Sequence, residues 1–312
     1  MTPRVPWTPA DVLQILLIWI LVVLLGQLAF AVLMPHGPIG PEQVEIDGNK
    51  TMLTFFEGGT YEAPGGKGKF KFEQARNQLI LEPDAGDPIT VEFHGTLRDR
   101  IGILLTNLVC LQCSMVALVF LLLRKSKSHW RAAFGPIGRP AFRLWLGPAL
   151  FGMGFVLPAF GLHYISQTVL VQLGHEPVVQ EAVQMVMTTE HPVEVGLQVV
   201  SVVIMAPIAE ELLFRGLLFN TIKKSGYPLA GMVISAALFA LVHGSLALML
   251  PLFIMGFALA WLYERSGSLV APMVMHATFN AINFTFIKLS HILSRLLNEV
   301  INWLQSLTEN AG

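Results

Sequence analysis

Long apolar runs, separated by short polar segments, repeat along most of the chain. A helix that crosses a bilayer needs about 20 mostly apolar residues, because it rises about 1.5 Å per residue through a hydrocarbon core about 30 Å thick. Seven stretches approach or reach this length: 11–34, 101–123, 144–168, 195–222, 228–249, 251–264 and 268–289. The pattern predicts an all-α membrane protein, a polytopic bundle of about seven transmembrane helices.

Two of these predicted spans have unusual ends. The first, within 1–34, is longer than the core of about 7–15 residues in a signal peptide. We therefore expect an uncleaved helix, although Ala29-Phe30-Ala31 resembles a cleavage site. The sixth span is the shortest. We expect it to begin at Pro251, because proline is favoured in the first turn of a helix, and to be closed by Glu264-Arg265-Ser266-Gly267.

The segment 35–100 interrupts the apolar pattern. It is rich in turn-forming residues, such as Gly58-Gly59 and Pro64-Gly65-Gly66. It also alternates apolar and polar residues in Lys69-Phe70-Lys71-Phe72 and in Thr90-Val91-Glu92-Phe93. Alternation with a period of two is typical of strands that bury one face. We predict a small β-rich extramembrane insertion that carries no catalytic set.

The last segment, 291–312, has the period of a helix. Its apolar positions share one face: Ile292, Leu293, Leu296, Leu297, Val300, Ile301 and Leu304. Its polar positions share the other: Arg295, Asn298, Glu299 and Asn302. Such a division predicts an amphipathic tail helix, which either lies on the membrane surface or packs against the bundle.

Composition agrees with a membrane protein. Of 312 residues, 54% are hydrophobic and only 13% charged, and the mean hydropathy is +0.61, whereas soluble domains are about 25% charged. The formal net charge is -1, so the composition gives no indication of the basic face that nucleic-acid binding needs, and we expect no nucleic-acid partner. Cys110 and Cys113 lie in an apolar run without a second Cys/His pair, so we expect two small buried residues on one helix and no disulfide framework.

Basic residues predict the orientation of the spans. Six of them crowd the loop within 101–172: Arg124, Lys125, Lys127, Arg131, Arg139 and Arg143. Cytoplasmic loops carry an excess of Lys and Arg, so we place this loop and the N-terminus inside. The insertion 35–100 and the acidic loop 173–194 then lie outside, and Lys223-Lys224 lies inside.

Ionisable residues in the fourth span point to function. An ionised residue at the centre of a membrane helix costs about 2.5–3.5 kcal/mol, which plain anchoring does not offset. Glu211 and Arg215 are four apart, so they share a face and predict an ion pair. Glu210 points about 100° away and is the carboxylate that this pair does not use. Pro207 removes a backbone hydrogen bond to Val203 and is expected to kink the helix. The alternative is that Glu210, Glu211 and Arg215 form a buried salt-bridge network with only a structural role.

Two other spans present polar groups at a similar depth. His243 lies in the fifth, and His276 and Asn280 lie four apart in the seventh. A carboxylate and a histidine can deprotonate a water, while a second histidine and an asparagine amide can bind the oxyanion of an attacked carbonyl. This set describes amide hydrolysis without a covalent intermediate. Glu210, His243 and His276 could equally bind a zinc ion that carries the water.

Three motifs in this order resemble the CPBP family of intramembrane proteases, the CAAX-prenyl-protease-like proteins that are also called Rce1-type or Abi. The motifs are Glu210-Glu211-x-x-x-Arg215, Phe239-x-x-x-His243 and His276-x-x-x-Asn280. The resemblance covers about 195–290 and implies a catalytic transmembrane core there. The N-terminal half of the chain lies outside it.

The resemblance implies a role for each site residue. Glu210 would be the base that activates water, and His243 would help to hold that water. His276 and Asn280 would form the oxyanion side. The supporting residues would be Glu211, Arg215 and Phe239. The family has been described both as metalloproteases and as metal-free glutamate proteases, so zinc stays open as a cofactor, with Glu210, His243 and His276 as its ligands.

We therefore predict an intramembrane endopeptidase that cuts a membrane-associated protein or peptide, prenylated or CAAX-like substrates included. Its setting would be membrane lipid, in the inner membrane of a bacterial cell. One alternative is a non-catalytic scaffold or bacteriocin-immunity-type protein with the same fold. Another is a transporter, since buried Glu and His can relay protons, but the chain shows no convincing internal repeat.

Overall fold

The structure is a computed structural model that describes ten stretches of the chain. They are residues 5–33, 40–46, 49–56, 58–64, 66–73, 78–92, 96–137, 142–175, 181–189 and 191–309. The chain divides into two compact units. The helical unit comprises Met1–Val23 and Asn107–Gly312, and the second unit comprises Leu24–Thr106.

The second unit contains the segment predicted to be β-rich, and this β-rich character is confirmed, while its place outside the membrane stays a prediction. Within the described residues its sheet has six strands: β1 Gly40–Ile46, β2 Asn49–Phe56, β3 Thr60–Ala63, β4 Gly66–Glu73, β5 Gln78–Pro83 and β6 Ile89–Glu92. Each strand pairs antiparallel with the next, so the spatial order follows the chain order. The predicted stretches around Lys69 and Thr90 fall in β4 and β6; Phe93 lies outside the described residues.

Alternation along these strands builds a small core. The inward side chains are Val44, Leu53, Phe55, Tyr61, Leu79, Leu81 and Val91. Between β2 and β3 the chain turns through Gly58 and Gly59, whose φ angles are 110° and 78°. Residues with a side chain larger than a hydrogen atom rarely adopt such φ angles, which explains why glycines occupy this turn.

Helices form the other unit and the ends of the second one. Their bounds are α1 Pro9–Leu33, α2 Leu97–Thr106, α3 Ser114–Lys125, α4 Trp130–Phe134, α5 Gly147–Gln172, α6 Glu181–Thr188, α7 Pro192–Gln198, α8 Ala206–Glu211, α9 Asn220–Lys224, α10 Pro228–Leu241, α11 Leu246–Ser266 and α12 Val270–Glu309. Four π-helical stretches adjoin them: Asn107–Cys113, Phe142–Leu146, Val199–Met205 and Leu212–Phe219. The chain is therefore mostly helical, as predicted.

Six helices in the described part of the chain are long and apolar enough to cross a membrane. They are Pro9–Val32, Arg98–Lys125, Leu144–Gln172, Pro192–Lys224, Leu246–Ser266 and Val270–Ile301. The protein is thus an integral, multi-pass membrane protein. The seventh predicted span corresponds to α10, which has 14 residues and a length of roughly 21 Å. The count of seven therefore stays a prediction.

The sixth predicted span begins earlier than expected. Ser245 caps α11 by accepting a hydrogen bond from the backbone N–H of Leu248, so the helix starts at Leu246 and contains Pro251. The prediction that Pro251 opens this helix was wrong, because serine is a strong N-cap and proline is tolerated inside a membrane helix when a neighbour binds the freed carbonyl. The helix ends at Ser266 and is capped by Gly267, whose φ is 66°, within the predicted closing stretch 264–267.

The structure also bears on the predictions for the two cysteines and for the tail helix. Cys113 is exposed and Cys110 is half-buried, so the expectation of two buried cysteines was wrong. They lie in the π-helical stretch Asn107–Cys113, which changes the faces that an α-helix would present. The tail predicted over 291–312 is helical up to Glu309, as an unbroken continuation of the last span in α12.

Hydrogen bonds join the segments that were predicted to be cytoplasmic to one another, to the end of α11 and to the loop after it. Four hydrogen bonds do so: Lys125 Nζ to Asp11 Oδ1 at 2.8 Å, Lys224 Nζ to the Trp7 carbonyl at 2.9 Å, Lys223 Nζ to the Glu264 carboxylate, and Ser268 Oγ to the Pro136 carbonyl at 2.6 Å. These bonds agree with the predicted topology, while the side of the membrane that the segments face stays a prediction.

Candidate active site

The fourth span changes its helical register twice around the two glutamates. The six residues of α8, Ala206–Glu211, lie between the π-helical stretches Val199–Met205 and Leu212–Phe219. π-Helical turns are rare and occur frequently at functional sites. In this span they widen the backbone on both sides of Glu210 and Glu211.

Glu211 and Arg215 form the predicted ion pair. Arg215 Nη1 donates to Glu211 Oε1 at 2.8 Å, and both side chains are fully buried. The guanidinium also donates from Nη2 to the carbonyl oxygen of Gly256 at 2.7 Å and lies 4.8 Å from the ring centre of Phe239. A buried charge is tolerable when its partners are this close, so the pair anchors α11 and α10 to the fourth span.

His276 joins the two glutamates from the last span. Its Nδ1 lies 3.1 Å from Glu211 Oε1, and since a carboxylate only accepts, Nδ1–H is the donor. Its Nε2 lies 3.7 Å from Glu210 Oε2, which is longer than a hydrogen bond. The prediction that Glu210 and His276 share one layer of the bundle is confirmed by this distance.

Glu210 differs from its neighbour in exposure. Its side chain is 26% exposed, whereas that of Glu211 is fully buried. Its Oε2 atom is nonetheless buried, and no described residue forms a hydrogen bond with it. Glu210 is therefore the carboxylate that the Arg215 pair does not use, as the helical spacing predicted, and it can be reached from outside the cluster.

Phe239 packs against both histidines. Its ring centre lies 4.8 Å from that of His243 and 5.6 Å from that of His276. The carbonyl oxygen of Phe239 lies 2.6 Å from His243 Nδ1, which must donate because a carbonyl only accepts. In the neutral ring this makes Nε2 the acceptor nitrogen of His243. The structure thus brings both histidines around one aromatic ring.

Asn280 makes a contact that helical spacing did not predict. Its Nδ2 donates to the carbonyl oxygen of Val202 at 2.9 Å, one span away. One N–H of the amide is therefore committed to the backbone of the fourth span. The second N–H is what remains for the oxyanion role that the resemblance implies.

Sequence reasoning missed two glycines that bring helices together at this site. A Cβ at Gly152 would lie 2.4 Å from the carbonyl oxygen of Met275, next to His276. A Cβ at Gly256 would lie 3.0 Å from Cα of Ala236. The signal was available, since glycine inside a helix costs about 1 kcal/mol relative to alanine and small residues allow close helix packing in membranes.

Zinc, with Glu210, His243 and His276 as its ligands, stays a prediction. In the part of the chain that the structure describes, no three His, Cys, Asp or Glu side chains converge as metal ligands do. Each histidine donates its Nδ1–H, His276 to Glu211 and His243 to a carbonyl, which is an orientation that metal-binding histidines also take.

Comparison with known proteins identifies the region that holds these residues. Residues 192–282 match the family described as "Type II CAAX prenyl endopeptidase Rce1-like". The chain is thus similar to that family over this stretch. The stretch includes all three motifs and agrees with the range 195–290 over which the resemblance was noted.

Two bacterial proteins are similar to parts of the chain. "UPF0177 protein YxdF" of Lactococcus lactis subsp. lactis (strain IL1403) is 34% identical over 97 residues, which are 30% of this chain and 52% of that protein. "Putative membrane peptidase YdiL" of Bacillus subtilis (strain 168) is 34% identical over 87 residues, 28% of this chain and 35% of that protein. The similarity thus spans about half or less of each relative, and no solved structure matches the chain significantly.

Proposed function

We propose that the chain is an intramembrane endopeptidase that hydrolyses a peptide bond of a membrane-associated protein or peptide. The observation that carries this proposal is the partly exposed carboxylate of Glu210, whose buried Oε2 lies 3.7 Å from His276 Nε2. The match of residues 192–282 to the Rce1-like family supports the same reaction class.

In this proposal Glu210 is the general base. It takes a proton from a water while the water oxygen attacks the carbonyl carbon of the scissile bond. The lone pair on His243 Nε2 accepts a hydrogen bond from the same water and holds it. Glu210 then gives the proton to the leaving nitrogen as the carbon–nitrogen bond breaks, which completes hydrolysis without a covalent intermediate.

His276 stabilises the oxyanion in this proposal. Its Nδ1 is held by Glu211 Oε1 at 3.1 Å, and its Nε2 lies 3.7 Å from Glu210 Oε2. In this proposal Nε2–H donates a hydrogen bond to the negative oxygen of the tetrahedral intermediate.

The substrate class, the cellular membrane and the seventh membrane helix are proposals as well. The family description and the name of YdiL support a membrane peptidase and favour a prenylated or CAAX-like substrate. Both relatives come from bacteria, which favours the inner membrane of a bacterial cell. We include α10, Pro228–Leu241, as the seventh membrane helix, since it carries Phe239 into the layer of Glu210.

The first test replaces the proposed base. Purified protein in proteoliposomes is given an internally quenched farnesylated CAAX peptide, and cleavage is followed by fluorescence. Glu210→Gln keeps the size of the side chain but cannot take a proton, so kcat should fall by at least about a thousandfold. A rate equal to that of the unchanged protein would refute the assignment.

Glu194→Gln provides a matched control, because Glu194 is a buried glutamate of the same span outside the site. It should retain cleavage. If the unchanged protein cleaves no peptide, and a strain that depends on the protein grows equally well with Glu210→Gln, the non-catalytic scaffold or immunity protein is the better reading.

A chelator tests the other scheme for activating water. Since the side chains of the site do not converge as metal ligands, we expect 1,10-phenanthroline to leave the cleavage rate unchanged. Metal analysis of the same preparation should find less than about one zinc ion per ten chains. Loss of cleavage with chelator, restored by added zinc, would show instead that the histidines and Glu210 rearrange around a metal.

A further inference from the structure

Pro207 leaves a carbonyl without its backbone donor in the fourth span. Just before it, the N–H of Ala206 bonds to the carbonyl of Ser201, five residues back, as in a π-helix. The next bond in this register would join residue 207 to Val202, but proline has no N–H. The expectation that Pro207 frees the carbonyl of Val203 applied to an α-helix; the π register shifts it by one residue.

Asn280 binds this freed carbonyl. Its Nδ2 lies 2.9 Å from the oxygen of Val202, and it comes from α12 rather than from the fourth span. A carbonyl left unbound inside a membrane costs free energy, and side chains of neighbouring helices commonly satisfy such groups. The bond therefore has a definite cause in the sequence, namely the proline five residues after Val202.

A second proline in the same unit shows the same arrangement. Pro251, inside α11, cannot donate to the carbonyl of Ala247, four residues back. His163 of α5 lies with its Nδ1 3.4 Å from that oxygen. In both cases a polar side chain of another helix takes the place of the missing backbone donor.

We propose that Asn280 is a positioning residue, which acts by tying the helix of His276 to the helix of Glu210. Asn280 lies one turn after His276, and Val202 lies about two turns before Glu210. Their bond thus fixes how the two spans slide past each other, and so fixes the 3.7 Å between Glu210 Oε2 and His276 Nε2. The inference rests on the proposed function for its catalytic readout, but not for its structural one.

A double-mutant cycle between Asn280→Leu and Pro207→Ala tests this proposal. Alanine at 207 restores an N–H that can bond to Val202, so Asn280 is then no longer needed for that carbonyl. With Pro207 present, Asn280→Leu should lower kcat for the farnesylated CAAX peptide about tenfold, with KM unchanged within about twofold. With Pro207→Ala, the same change should lower kcat less than about threefold.

The unfolding temperature in detergent follows the same cycle without an activity. Asn280→Leu should lower it more with Pro207 than with Pro207→Ala. Asn283→Leu is the matched control, because the amide of Asn283 donates to Phe279 within its own helix. It should show no such dependence on residue 207. If Asn280→Leu does not fold in either background, Asn280→Ser replaces it.

The outcomes separate this proposal from the proposed function. Equal losses of kcat in both backgrounds would overturn it and favour a direct oxyanion role for Asn280. Absence of coupling in the unfolding temperature would also overturn it. If the unchanged protein cleaves no peptide, the proposed function fails by itself, and the thermal cycle still decides whether Asn280 ties the two helices.

Discussion

Two buried polar clusters lie along the fourth span, Pro192–Lys224, and they differ in kind. The first, which we call the Glu211 cluster, consists of Glu210, Glu211, Arg215 and His276. The second, the Thr189 cluster, consists of Thr189, Glu194, Gln198 and Lys288. Each contains a fully buried glutamate from this span and a residue of α12.

The Thr189 cluster joins chain segments through hydroxyl and amide groups. Gln198 Nε2 donates to Thr189 Oγ1 at 2.7 Å and to the Met185 carbonyl at 3.2 Å. Thr189 Oγ1 lies 3.1 Å from Glu194 Oε1, and Lys288 Nζ donates to the carbonyl of Thr189. These bonds fasten the turn between α6 and α7 onto α12.

The Glu211 cluster is built on charge instead. Arg215 meets Glu211 at 2.8 Å, and the additional carboxylate of Glu210 stands beside it, partly exposed. Nothing in plain packing requires a second carboxylate there. A buried glutamate alone therefore does not indicate a site. We infer one where a carboxylate exceeds its ion pair and lies within reach of a histidine.

The largest effect should come from breaking the charge pair. Arg215→Met keeps much of the volume but leaves Glu211 without its cation in a fully buried place. Removing one partner of a buried ion pair costs about 3–5 kcal/mol, so the unfolding free energy in detergent should fall by about that amount. The measurement is equilibrium unfolding followed by tryptophan fluorescence.

A double variant is the control for this loss. Glu211→Gln together with Arg215→Met removes both charges, and the amide oxygen of glutamine can still accept from His276 Nδ1. It should recover more than half of the stability lost in Arg215→Met alone. If the single variant were as stable as the unchanged protein, the Glu211 cluster would not differ from its neutral counterpart.

Much of the Glu211 cluster could be predicted from the sequence. Spacing alone paired Glu211 with Arg215 and set Glu210 apart, because residues four apart in a helix face the same way. Counting residues from the ends of the spans placed His276 in the same layer. The contact of Asn280 with Val202 could not be predicted, because it depends on a π-helical register that cannot be recognised in the sequence.

The Thr189 cluster could not be predicted from the sequence. The loop 173–194 was read as acidic, but its residues 176–180 and 190 lie outside the described part of the chain. Glu194 turned out to be buried in the first turn of α7, where a carboxylate is favoured by the helix dipole. Charge counting assigns such residues to solvent, since it has no information about which helix covers them.

Span boundaries failed for a related reason. Hydropathy averages over many residues, so it did not reveal that Ser245 caps α11 or that α10 ends at Leu241. The strands of the β-rich insertion were easier to predict than the span boundaries, because a period of two is visible within four residues. Local patterns were thus predicted well, whereas helix caps and the individual hydrogen bonds between distant segments were not.

The smallest effect should come from Gln198→Leu in the Thr189 cluster. This change also replaces a buried polar side chain of the fourth span by an apolar one, as Arg215→Met does. It removes two neutral hydrogen bonds, but it also removes the Oε1 atom of Gln198, which is buried without a hydrogen-bond partner among the described residues. The two terms oppose each other, so the unfolding free energy should change by less than about 1.5 kcal/mol, and kcat should stay within about twofold. A loss as large as that of Arg215→Met would show that the Thr189 cluster depends on charge in the same way as the Glu211 cluster, which would remove the contrast on which the choice of site rests.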